Sequence, residues 1–218
     1  PLVREHQENP DYAVELAGLY VNWGSLLLTI HHNAFEGARR CTQAVHVIEA
    51  VLRREPRYDP ARMICRNAHG ERAYNYEALA RYTEAIEDWD RVIELDGENE
   101  RPAHRALRGW TFLHAGDHAR AAATAGELAH DPKTSDDILY EAAKLAAVAA
   151  KSVQKDPQLS SARRVDLAKR YEDEAIYALE RLKQKGSLRS PSDLLQLRQE
   201  SAFANLHDRP DFKALTRP

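Results

Sequence analysis

The predicted fold rests on the stretch from Arg81 to Pro132, RYTEAIEDWDRVIELDGENERPAHRALRGWTFLHAGDHARAAATAGELAHDP. Apolar residues recur in it at spacings of three and four, which is typical of helices that bury one face. Breaks at Gly97 and Gly116 divide the stretch into three helices. Ala85 and Ala119 are expected at matching positions, 34 residues apart. A fixed step between similar helices predicts repeated helical hairpins.

Two further landmark pairs extend this pattern toward the start of the chain. Ala44 to Ala85 and Pro56 to Gly97 both give a step of 41 residues, so we expect the extra residues in the first hairpin. No linker or low-complexity tract interrupts the pattern, which predicts one all-α domain over residues 1–218. We expect four antiparallel hairpins and a C-terminal helical cap, at about residues 11–56, 60–97, 101–131, 135–186 and 190–216.

Capping residues predict where the later helices begin and end. Ser160 or Ser161 is expected to cap the second helix of the fourth hairpin. Gly186 is expected to stop that helix in the left-handed conformation. The segment Ser190-Pro191 predicts the start of the next helix, with proline at its first position.

Composition limits the classes of function. The chain has 218 residues and a net charge of -3, with 43% hydrophobic and 30% charged residues, so we expect neither nucleic acid nor a membrane as partner. No apolar run approaches the roughly 20 residues that cross a bilayer. The start at Pro1 has no initiator Met and no signal-peptide core, which suggests a fragment. Cys41 and Cys65 are expected to be buried reduced thiols, typical of a cytoplasmic protein.

A 34-residue step between helical hairpins is typical of tetratricopeptide repeats. Several segments are also similar to the tetratricopeptide region found C-terminal to bacterial serine/threonine protein kinases. They are LVREHQENPDYAVELAGLYVNWGSLL (Leu2–Leu27), AIEDWDRVIELD (Ala85–Asp96), RPAHRALR (Arg101–Arg108), AGDHARAAA (Ala115–Ala123) and HDRPDFKAL (His207–Leu215). The chain departs from that family at AAKLAAVAA, which lacks the family's cysteine, and at residues 199–203, where the family has an acidic run.

The resemblance implies a right-handed, tetratricopeptide-like superhelix whose parent protein is a kinase. It does not imply that this chain is catalytic, because phosphoryl transfer needs a Gly-rich loop, a strand lysine, a catalytic His-Arg-Asp and an Asp-Phe-Gly. His104-Arg105-Ala106 lacks the catalytic base, and Asp211-Phe212-Lys213 lacks the glycine. We therefore expect no enzymatic activity from this chain.

The histidines offer a possible metal site, which the spacing disfavours. The candidate set is His31, His32, Glu36, His46 and His69. Adjacent histidines on a regular helix face different directions, so they do not converge on one ion. We expect no metal and no cofactor, and interpret these residues as polar groups at a helix–helix turn.

The resemblance further implies that the first helix of each hairpin lines a concave groove for peptides. Matching the hairpins at a step of 34 residues places Asn67 and Tyr74 at positions comparable to those of a basic strip in the next hairpin. The predicted groove residues are Asn67, Tyr74, Arg101, His104, Arg105 and Arg108. Arginine forks suit carboxylates, so the strip predicts an acidic peptide as ligand. Alternatively, the arginines are solvated or pair with Asp88, Asp90 and Glu94.

Together these patterns predict a non-catalytic scaffold that binds a protein or peptide partner in its groove. The alternative is a structural spacer or oligomerisation module without a dedicated peptide groove. The sequence leaves the oligomeric state open.

Overall fold

The structure is a computed structural model that describes residues 9–98, 100–188 and 190–217. The described residues are mostly helical and include no β-strand, which confirms the all-α class. The first part of the segment Leu2–Leu27, up to residue 8, lies outside them. The elements are α1 (Pro10–Thr29), α2 (Ala34–Arg54), α3 (Asp59–Ala78), α4 (Tyr82–Leu95), α5 (Arg101–His114), α6 (His118–His130), α7 (Asp136–Val153), α8 (Ser161–Lys185), α9 (Pro191–Gln199), a 3-10 helix (Ser201–Leu206) and α10 (Pro210–Leu215).

The chain forms two compact units, the first ending at His104 and the second beginning at Arg105. In the first unit α1 to α4 pack consecutively, and α1 also packs against α3. In the second unit α6, α7 and α8 pack together, and the C-terminal short helices cover them. The 3-10 helix contacts α7, and α10 contacts α8. The single domain over residues 1–218 stays a prediction.

The predicted ends of the later helices are confirmed. Ser160 caps α8 by accepting a hydrogen bond from the backbone N–H of Arg163. Gly186 ends α8 with a left-handed φ of 91°. Ser190 and Asp193 form a capping box at the start of α9, which therefore begins with proline at its first position.

Two equivalent turns reveal the step between the second and third hairpins. The backbone N–H of Arg81 donates to the carbonyl of Tyr76, and that of Asp117 donates to the carbonyl of Phe112, both at 2.8 Å. Arg81 and Asp117 are the capping residues of α4 and α6. The two turns are therefore equivalent, and they lie 36 residues apart.

This step corrects the predicted match between Ala85 and Ala119. Ala85 donates its backbone N–H to the carbonyl of the α4 cap, and Ala121 does the same at the α6 cap. Ala85 and Ala121 are both fully buried, whereas Ala119 is exposed. The 34-residue match was wrong because the alanine-rich run offers several candidates, and burial selects the one two residues later.

The 41-residue step, in contrast, is confirmed. Helices α2 and α4 are capped at their C-terminal ends by Glu55 and Asp96, so Pro56 and Gly97 follow them at the same place. The residues counted by this step, 56–96, form α3 and α4, so the extra residues lie in the second hairpin and the expectation that they lie in the first was wrong. Helix α3 has 20 residues, whereas α5, the first helix of the third hairpin, has 14.

Glycines allow α1 and α2 to approach closely. Gly24 in α1 and Gly37 in α2 are both buried. A Cβ at Gly37 would overlap Oδ1 of Asn75 and lie 3.0 Å from the carbonyl oxygen of Gly24. At Gly24, a Cβ would lie 2.5 Å from the sulfur of Cys41. Side chains at either position would force these helices apart.

None of the described helices combines the length and the apolar character that a membrane span requires.

Candidate functional site

The first unit contains an open cavity beside α3, with a volume of about 290 Å³, which we call the α3 cavity. Helix α3 contributes one wall, and residues of α1, α4 and the start of α5 complete it. The lining residues are Val21, Asn22, Arg66, Asn67, Gly70, Glu71, Tyr74, Trp89, Val92 and His104. Such a mixture of aromatic and polar groups in a concave surface is typical of a binding site.

Trp89 forms an aromatic base for the α3 cavity. It is 1% exposed. The ring of Tyr74 meets it edge-on at a centroid distance of 5.1 Å, and the ring of His104 stacks on it at 6.0 Å. The indole Nε1 donates a hydrogen bond of 3.1 Å to Glu77. These contacts fix the orientation of the indole, so this part of the cavity is preformed.

Charged groups of both signs surround the aromatic base. His104 Nδ1 lies 2.7 Å from Oδ2 of Asp96, whose side chain is fully buried. The guanidinium of Arg66 lies 3.6 Å from Oδ1 of the same carboxylate. Glu71 is half-buried and also lines the cavity. The cavity is therefore lined by groups of both charge signs, and the guanidinium of Arg66 already faces the buried carboxylate of Asp96.

The hydroxyl of Tyr74 is a hydrogen-bond donor at neutral pH. Burial raises the pKa of this phenol, and the carboxylates of Glu71 and Glu77 raise it further. The side chain is nevertheless 39% exposed. Tyr74 can thus offer a neutral O–H to a ligand in the cavity.

Of the six predicted groove residues, Asn67, Tyr74 and His104 line the α3 cavity. Arg101 is exposed, and its guanidinium donates to the carbonyl of Asp96 at the end of α4. The other two, Arg105 and Arg108, belong to the second unit.

In the second unit, these two arginines contact groups of their own hairpin. Arg105 forms an ion pair with Glu127 on α6, and the guanidinium of Arg108 lies 5.4 Å from the ring centre of Phe112. The alternative pairing with Asp88, Asp90 and Glu94 of α4 stays a prediction. In the first unit, Asp88 pairs with Arg72.

The 36-residue step explains the orientation of Arg105 and Arg108. At that step their equivalents in α3 are His69 and Arg72, whose side chains face Asp88 on the partner helix of the hairpin. An error of two residues rotates a helical position by about 200°. Arg105, like His69, thus has its side chain toward the second helix of its own hairpin, where it pairs with Glu127.

Sequence reasoning missed Arg66, Asn22 and Glu71 as lining residues. Arg66 and Glu71 could have been found from the spacing along α3, because they lie near Asn67 and Tyr74 on one side of the helix. Asn22 comes from α1, and only the packing of α1 on α3 reveals it.

The second unit has a cleft of about 540 Å³ near the start of α6. His118, Asp156 and Tyr171 are among its lining residues. The Nε2 of His118 lies 3.0 Å from Asp156, and the Nδ1 lies 3.4 Å from the hydroxyl of Tyr171. Because both ring nitrogens are engaged, this histidine connects α6 to α8 and its preceding loop rather than facing a ligand.

The chain was compared with protein-family models and with curated proteins, and neither comparison gives a match. The resemblance to kinase-associated tetratricopeptide regions therefore rests on the sequence segments alone.

Proposed function

We propose that this chain is a non-catalytic protein-interaction module that binds a peptide segment in the α3 cavity. The observation that carries the proposal is the preformed aromatic base of Trp89 beneath the accessible side chains of Asn67 and Tyr74. Binding into a preformed cavity spares the protein the ordering of its own side chains. The resemblance to kinase-associated tetratricopeptide regions supports the same proposal. On that basis we also propose that the chain forms a tetratricopeptide-like superhelix, which serves a serine/threonine kinase by recruitment or regulation.

The cavity chemistry suits an extended peptide better than a strongly acidic one. The side-chain amides of Asn22 and Asn67 can both donate and accept, as peptide groups require. Arg66 suits a carboxylate, although Asp96 already attracts its guanidinium. Glu71 suits an N–H or an ammonium group. We therefore propose a partner segment that carries one acidic and one basic group.

A display library of random peptides tests this function, since it requires no known partner. We expect selected peptides whose affinity falls about tenfold or more in Tyr74→Ala and in Asn67→Ala, as is common when a central contact is removed. Arg105→Ala is the matched control, because Arg105 pairs with Glu127 outside the cavity. The proposal fails if no peptide is selected, or if the selected peptides bind all three variants equally.

A second candidate function is self-association, favoured by an apolar stripe on α1. Its members are spaced four, three and four residues apart, so they share one helix face. They are Leu19, Trp23, Leu26 and Ile30, with exposed fractions of 67%, 46%, 49% and 64%. Exposed apolar patches of this kind commonly mark interfaces.

Sedimentation analysis distinguishes the two candidates. Self-association through the stripe predicts a dimer that Leu26→Lys converts to a monomer, with peptide binding unchanged. Thr29→Lys is the control, because Thr29 lies on the same helix and its hydroxyl hydrogen-bonds the carbonyl of Ser25. A wild-type monomer at all concentrations excludes this second function.

A further inference from the structure

Three potential metal-binding side chains converge between α2 and α3 in the first unit. They are Glu49 on α2 and the pair Cys65 and His69 on α3, with a ligand atom from each within 4.8 Å of the others. Cys65 and His69 are four residues apart, so they project from the same face of the helix. This cluster is separate from the α3 cavity, and the inference drawn from it is independent of peptide binding.

One atom of this cluster is buried without a hydrogen-bond partner. His69 is 5% exposed, and its Nε2 makes no hydrogen bond with any group that the structure describes. The nearest charged atom is Oε1 of Glu49 at 3.8 Å, which is too far for a hydrogen bond. Burying an unsatisfied ring nitrogen is unfavourable, so a bound group on this side would supply a missing contact.

The other ring nitrogen of His69 is held in the manner of a metal ligand. Nδ1 lies 2.7 Å from Oδ1 of Asp88. Arg72 donates two hydrogen bonds to the same carboxylate, at 2.7 and 2.8 Å. A carboxylate at Nδ1 holds the proton there in a neutral ring, which leaves the lone pair of Nε2 directed to the cluster.

We propose that Glu49, Cys65 and His69 bind one zinc ion, with water as the fourth ligand. Zinc accepts a sulfur, a nitrogen and an oxygen donor together, whereas calcium and magnesium prefer oxygen alone. Tetrahedral coordination needs ligand atoms about 3.5 Å apart, given bonds of about 2.0–2.3 Å. The side chain of Glu49 is 37% exposed, so it is the ligand with freedom to move inward.

Charge and proton balance are consistent with this assignment. Binding converts the Cys65 thiol to a thiolate and releases its proton to the solvent. The thiolate and the Glu49 carboxylate together neutralise the two positive charges of zinc. The bound ion would join α2 to α3 and thereby stabilise the first unit.

The test uses metal-free protein without affinity tags. Calorimetric titration with zinc chloride should show one site per chain. Cobalt chloride should give an absorption band for thiolate-to-cobalt charge transfer, which surface histidines do not produce. Cys65→Ser should lose this band, whereas Cys41→Ser should retain it, because the cluster does not include Cys41.

Two further variants keep the test decisive if Cys65→Ser does not fold. Asp88→Asn should weaken zinc binding about 10–100-fold, as expected for a group that orients a ligand. Glu49→Gln changes a half-exposed ligand itself, so this variant should weaken zinc binding more than Asp88→Asn does. The proposal is overturned if the wild-type protein takes up no zinc, if cobalt gives no thiolate band, or if Glu49→Gln binds as wild type does.

Discussion

Replacement of Gly37 by alanine should destabilise the first unit. The new methyl group would overlap Oδ1 of Asn75 and lie 3.0 Å from the carbonyl oxygen of Gly24. One obstacle is a buried amide and the other is backbone, so neither moves away easily. The position of a Cβ is fixed by the backbone, so the new methyl group cannot rotate away from these atoms.

The magnitude follows from three contributions. Overpacking a core typically costs about 1–3 kcal/mol. If Asn75 is displaced, its hydrogen bond to the carbonyl of Glu71, 2.7 Å long, is lost at about 1 kcal/mol. Alanine regains about 0.5–1 kcal/mol over glycine within a helix. The free energy of unfolding should therefore fall by about 2 kcal/mol.

Urea unfolding followed by circular dichroism measures this change through the shift of the midpoint. Gly18→Ala is the matched control in α1, because its methyl group would meet only the Cδ1 of Ile64, at 3.7 Å. We expect this control to be stabilised by about 0.5–1 kcal/mol. Replacing glycine by alanine should thus lower the free energy of unfolding at position 37 and raise it at position 18.

A double variant identifies the responsible contact. Asn75→Ala in the Gly37→Ala background removes the overlapping oxygen. The double variant should therefore lose less stability than the sum of the losses of the two single variants. If Gly37→Ala is as stable as wild type, or if the two losses are additive, the described packing of α1, α2 and α3 is refuted.

Three more predictions concern helix ends and thiols. Gly186→Ala should lower the free energy of unfolding by about 1–2 kcal/mol, because the left-handed conformation is unfavourable for alanine. Asp117→Ala should cost about 1 kcal/mol at pH 7 by removing the α6 cap. Burial raises the pKa of Asp117, but hydrogen bonds from the backbone and guanidinium of Arg120 outweigh it and lower the pKa overall. The advantage of wild type over Asp117→Ala in urea unfolding should therefore be present above about pH 4 and disappear as pH falls through the folded-state pKa. Burial raises the pKa of Cys41 to about 12 and that of Cys65 to about 11. At pH 8, with a chelator present, neither thiol should therefore react with a disulfide reagent until urea unfolds the chain. Fast reaction of the folded protein would contradict this prediction.

Helix positions could be predicted because their determinants are local. Gly186 and the Ser190-Pro191 pair act within one turn of the helix that they end or begin, and the structure confirms both. The 41-residue step was also recoverable, since helix ends carry distinctive residues. The 34-residue step was not, because alanine at one position resembles alanine two positions later. Burial distinguishes Ala121 from Ala119, and burial is a property of packing.

The candidate sites depended more strongly on packing. Asn67 and Tyr74 were identified from their own helix, but Arg66, the arginine that lines the cavity beside them, was missed. The metal cluster required a contact between two helices. The sequence grouped His69 with Glu36, whose carboxylate in fact pairs with nearby arginines of α2. Nothing in the local spacing joins His69 to Glu49.

The three tryptophans have consequences for optical measurements. Trp89 is shielded from water and stacked on His104, whereas Trp23 is 46% exposed on α1. Trp110 belongs to the second unit, where its indole donates to Glu141. Their emission spectra should differ, so each ring reports on a different part of the chain. A variant that keeps Trp89 alone would report occupancy of the α3 cavity without a label, and one that keeps Trp110 alone would follow the unfolding of the second unit.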